Sequence, residues 1–83
     1  MLNPDDFNNL PEYDQHTLLL DGTFLADRQE NGLIVQLFSV EHLYVERHYD
    51  RLANRILKVS AFKDTSRLGP YIAHIRFNVR REF

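Results

Sequence analysis

Three runs of strand-forming residues are crowded between Gly32 and Phe62, separated only by short polar breaks. The breaks are too short for a crossover, so consecutive runs must pair antiparallel as a meander. The expected strands are Leu33–Ser39, Leu43–Asp50 and Arg55–Phe62. A fourth, Thr23–Arg28, precedes them through the turn Gln29-Glu30-Asn31-Gly32, where Asn-Gly accepts positive φ. A three-residue loop at Val40-Glu41-His42 and a five-residue loop over Asp50–Asn54 would put odd-numbered residues on one face, with Leu33, Val35, Leu37, Leu43 and Val45 as core. Arg47 is the one charge among that face's central positions and would snorkel past an edge. Ile34, Phe38, Tyr44, Glu46, His48, Ile56, Lys58 and Phe62 would share the other face, with Glu46 opposite Lys58. A slip of one residue in either loop would exchange the faces.

The residues before the meander carry helix signals. Asn3 can cap, Pro4 suits a first helical position, and Asp5 and Asp6 lie where the helix dipole favours negative charge. This predicts a short helix within residues 3–10, anchored by Phe7 and Leu10. Pro11 then opens a second helix, Pro11–Asp21, with Gly22 as a left-handed C-cap. Asp21-Gly22 between two apolar runs is also a hairpin signal, but the proline and acids before the leucines favour helix. After the meander, Asp64-Thr65 can cap a helix over Ser66–Ile75. The alternation from Tyr71 to Val79 supports a strand instead. The expected fold is α+β: two short N-terminal helices, a four-stranded antiparallel β-meander, and a C-terminal helix packed on the sheet, with residues 1–83 as one domain.

Composition limits the classes. The apolar fraction of 43 % is that of a folded chain, not a disordered one. Without cysteine, neither a disulfide nor a thiolate metal site can help hold it, which fits a reducing, cytoplasmic setting. No basic segment leads into an apolar stretch near Met1, and no apolar run is long enough to cross a bilayer, so neither a signal peptide nor a membrane partner is expected. The net charge of −2 hides a polarity. Residues 1–31 hold seven acids and one base, whereas residues 32–83 hold nine bases and five acids. Such a split gives a basic surface for an anionic partner, or halves that complement each other between two chains or, the favoured reading, within one.

The segments Gly22-Thr23-Phe24-Leu25-Ala26, Tyr44-Val45-Glu46, Tyr49, Phe62-Lys63 and Leu68 with Pro70-Tyr71 resemble a group of small uncharacterised bacterial proteins of unknown function, over residues 7–75. The resemblance implies the helix–meander–helix order and a helical Ser66–Ile75; it implies no activity. Arg47 and the basic tail from Arg76 to Phe83 depart from that group's pattern.

Chemistry-bearing motifs are sparse. His16, His42, His48 and His74 lack metal-ligand spacing, so no metal is expected. The three glycines form no phosphate-binding pattern, and no cofactor is expected. The best constellation is Tyr44, Glu46 and His48 on alternate positions of one strand, joined by Lys58. A carboxylate beside an imidazole can act as base and orienting group. With no nucleophile motif beside it, however, a half-solvated sheet face is the plainer reading. Arg76, Arg80 and Arg81, with Phe77 and Phe83 among them, raise nucleic-acid binding, but acids outnumber bases over the chain. Phe38 and Phe62 on a partly uncovered sheet face would mark a contact surface. The expectation is a non-enzymatic protein–protein interaction module, forming a homodimer or meeting another protein, with a nucleic-acid-binding accessory protein as the alternative.

Overall fold

A computed structural model describes residues 2–72. Helix α1 (Pro4–Asn8) and helix α2 (Glu12–Leu20) precede strands β1 (Thr23–Glu30), β2 (Leu33–Val40), β3 (Leu43–Asp50) and β4 (Arg55–Phe62). A 3-10 segment, Thr65–Tyr71, follows. The sheet is an antiparallel meander in the order β1-β2-β3-β4. The α+β class and the element order of the described region are those expected from sequence.

Helix α1 starts as its residues dictate. The Asn3 side chain accepts from the Asp6 amide at 2.8 Å, and Asp6 accepts in return from the Asn3 amide at 3.3 Å. Helix α2 is tied to it by the buried Gln15, whose Nε2 donates to the Phe7 carbonyl at 3.0 Å. Together they cover one face of the sheet. Phe7 and Leu19 pack there against Phe38, Val40, Leu43, Val45 and Ala61. Burying side chains of this size contributes about 1.5–3 kcal/mol each. On the other face the 3-10 segment lies over a second cluster of Ala26, Leu37, Phe62 and Tyr71.

Gly22 is not the left-handed C-cap expected of it: Asp21 ends α2 in a right-handed conformation, and Gly32 is the only described glycine with positive φ. What Gly22 supplies is room. A Cβ there would lie 2.8 Å from the Ser39 carbonyl oxygen and 2.9 Å from a Val40 methyl. The hairpin reading of Asp21-Gly22 is not realised.

The turns are tighter than expected, and this reassigns the faces. β1 runs on to Glu30 and turns through Asn31-Gly32 alone, with φ of 52° and 83°. β2 and β3 turn through Glu41-His42, not through three residues, so Val40 pairs with Leu43 and Leu37 with Glu46. Odd positions of β2 therefore share a face with even positions of β3, and the single odd-numbered face breaks up. Four residues, Arg51–Asn54, join Asp50 to Arg55, where five were expected, and a bulge leaves Leu57 without a partner on β3. Consequently Glu46 pairs with Ser60, and Lys58 pairs with His48.

A second bulge, at Leu25, rotates the start of β1. Phe24 then meets Phe38 edge-on, with ring centroids 5.7 Å apart, while Ala26 turns to the opposite face beside Leu37. Where the expected helix Ser66–Ile75 is described, it is the 3-10 segment Thr65–Tyr71, with Pro70 inside it, and residues 73–75 lie outside the described residues. The proline has no amide hydrogen to extend a helical ladder. The strand reading of residues 71–79 lies, from 73 onward, outside the described residues.

Candidate functional site

The register gathers five of the six residues singled out from sequence. Tyr44, Glu46, His48, Lys58 and Phe62 share the face beneath the 3-10 segment. Phe38 does not join them. It lies on the opposite face, 8 % exposed, under α1 and α2. Phe62 is likewise buried, at 4 %, so the two phenylalanines are core residues of opposite layers, not one exposed patch. Arg47 falls on the helix-covered face, where it donates to Gln36 at 2.9 Å and lies 5.0 Å from the Phe38 ring centroid. Burial holds its guanidinium below the ordinary value.

Glu46 is the hub of this face. Its carboxylate is 4 % exposed and accepts three hydrogen bonds. The Tyr71 hydroxyl donates to Oε2 at 2.6 Å, Arg28 Nη2 donates to Oε2 at 3.3 Å, and Arg67 Nη2 donates to Oε1 at 3.1 Å. Arg28 also binds Glu30 and lies 5.4 Å from the Tyr71 ring centroid. Arg67 stacks 4.1 Å from the Phe62 ring centroid, and Phe62 in turn packs on Tyr44 at 5.8 Å. Burial works against the charge on Arg28, but its hydrogen bonds to Glu30 and Glu46 and its place beside Tyr71 outweigh it and hold its pKa above the ordinary value. Burial, with help from the Glu46 carboxylate, pushes the Tyr71 phenol well up.

This is the arrangement of a fastener. Both Glu46 oxygens already have donors, and His48 is not among them. Sequence reasoning found Glu46 but missed Arg28, Arg67 and Tyr71. The available signal was the spacing of Arg67 and Tyr71, four apart on a segment expected to be helical, which sends both side chains toward one side. The nucleic-acid candidates Arg76, Arg80 and Arg81 lie outside the described residues. Among those described, no group of three or more potential ligands stands together for a metal ion. No described helix is long and apolar enough to cross a membrane.

The second candidate is the outer flank of β4. From Arg55 to Lys58 the strand is exposed on both faces, with Ile56 39 % and Leu57 49 % exposed. α1 covers its other half, leaving an open groove between the helices and the start of the strand. Leu10, Tyr13, Ile56 and Val59 give the groove its apolar part, and Glu12, Arg55 and Lys58 its charged part. The strand start thus presents apolar side chains to solvent beside the groove.

No protein family, no curated protein and no solved structure matches the chain.

Proposed function

We propose that the protein is a cytoplasmic, non-enzymatic protein–protein interaction module that works as a homodimer. The observation that carries this reading is the start of β4. It is an edge strand whose apolar residues Ile56 and Leu57 remain open to solvent, next to a groove lined by both apolar and charged side chains. The fully engaged Glu46 supports a structural role for the one constellation that resembled catalytic machinery. A small domain without cysteine also gains stability from burying further surface in a partner.

Light scattering on a size-exclusion column, across a hundredfold range of loading, tests the reading. The expected mass is twice the 9.9 kDa of the chain, with a protein-like ratio of absorbance at 260 and 280 nm. The absence of tryptophan makes that ratio sensitive to bound nucleic acid. A monomer carrying excess 260 nm absorbance that salt removes would overturn the reading in favour of nucleic-acid binding. A bare monomer throughout would overturn the homodimer.

A further inference from the structure

Resting on the interaction reading above, we propose that the helix-bearing face of the sheet takes the same face of a second copy. The two copies lie face to face about a two-fold axis that runs across the strands. The outer side of α2 in each fills the part of the other's sheet that its own helices leave open.

The first support is a step in that face. Asn8 fastens α1 to the end of β4 and closes the edge there. Its Oδ1 accepts from the Ala61 amide at 2.7 Å, and its Nδ2 donates to the Ala61 carbonyl at 3.3 Å. The helices therefore pack on Phe38, Val40, Leu43, Val45 and Ala61. The strands run on past them. Gln29, Ile34, Tyr49 and Ile56 form a cross-strand row on the same face. Ile34, Tyr49 and Ile56 belong to neither core cluster, and Ile56 is the open edge residue already noted.

The second support is the outer side of α2. Gln15 and Leu19 turn inward and are buried. Tyr13 and Leu20, two turns apart, turn outward together and are 80 % and 82 % exposed. One chain thus carries both an apolar crest and a lowered floor with apolar side chains. A two-fold axis between two such faces sets each crest on the other's floor in a single step. α2 runs from Tyr13, beside Ile56 and Val59 of β4, to Leu20, just before β1. The axis across the strands therefore brings Tyr13 to Ile56 of the other copy and Leu20 to its Ile34.

Charge selects the same pairing. The helical segment Pro4–Asp21 holds Asp5, Asp6, Glu12, Asp14 and Asp21 and no lysine or arginine. The open floor and its rim hold Arg47, Arg51 and Arg55 against Asp27. None of these three arginines forms an ion pair among the described residues. The face-to-face dimer lays the acidic helices of each copy over the arginines of the other.

Tyr13→Ala with Leu20→Ala removes the crest without touching a buried side chain or weakening the helix. Ile72→Ala, exposed but following the 3-10 segment on the opposite face, is the control. Light scattering across a range of loading should show dimer dissociation about tenfold or more weaker for the double variant, and unchanged for the control. Circular dichroism should match wild type in both. The chain has no cysteine, so Leu20→Cys and Ile34→Cys proteins can be mixed and treated with a short bis-maleimide. The expected cross-linked dimer forms in the mixture and in neither variant alone. A wild-type dimer that tolerates loss of the crest, or that gives no mixed cross-link, would overturn this surface while leaving the interaction module standing. A wild-type monomer would overturn both.

Discussion

Replacing Glu46 is the sharpest perturbation of the folded state. Glu46→Ala strands the Tyr71 hydroxyl inside a fully buried residue. Leaving a buried donor without its acceptor costs about 1–3 kcal/mol. Arg28 keeps Glu30 as a partner, so its loss adds about 1 kcal/mol. The Arg67 side chain is 46 % exposed, so its ion pair adds only about 0–1 kcal/mol. Relief of the buried carboxylate's desolvation offsets part of this sum. The expected net loss is about 3 kcal/mol, a large share of the roughly 4–12 kcal/mol typical of a chain this size. At about 4–8 °C per kcal/mol, the thermal midpoint falls by roughly 12–24 °C. Glu46→Gln keeps one acceptor and the side-chain volume, and should lose only about 1–2 kcal/mol. Urea titrations followed by circular dichroism give these values. A double-mutant cycle of Glu46→Gln and Tyr71→Phe should return a coupling above about 0.5 kcal/mol. A Glu46→Ala protein within about 0.5 kcal/mol of wild type, or a strictly additive cycle, would refute the hub.

Two further outcomes follow from the same structure. The folded state holds the Tyr71 phenol above its ordinary 10.0, so its stabilising share is whole below pH 10 and is lost as pH rises further. Urea midpoints measured from pH 8 to 12 should therefore fall less steeply for Tyr71→Phe than for wild type, and equal slopes would exclude the buried phenol as the cause. Gly22→Ala pushes a methyl group against the Ser39 carbonyl and Val40, and should cost about 1–3 kcal/mol in the same titration; a neutral result would show that the α2–β1 junction yields freely.

Much of the fold was legible because its signals are local. Asn3, Pro4 and Asp6 specify a helix start through atoms within one turn. Asn31-Gly32 specifies a tight turn through its φ preference. The β2–β3 and β3–β4 strand bounds matched almost residue for residue, because β-branched and aromatic runs end where turn residues begin. Of the candidate site, sequence found Tyr44, Glu46, His48 and Lys58 on one face, since alternation along a strand needs no tertiary knowledge.

The faces themselves were not legible. With helices on one side of the sheet and the 3-10 segment on the other, both faces of β2 and β3 are buried, so alternation of polarity no longer says which side is in. One residue fewer in the Glu41-His42 turn then decided the matter, at a positive φ for Glu41 that propensity disfavours. Phe38 and Phe62 went to opposite layers for that reason. Glu46 read as a half-solvated surface acid because its partners come from β1 and from a segment more than twenty residues downstream. The chain alone determined the two helices and four strands up to Phe62 and their order. Only their packing decided that Glu46 is a buried fastener, that Asn8 closes the end of β4, and that the start of that strand is left open. Those three outcomes depend on groups brought together from distant parts of the chain.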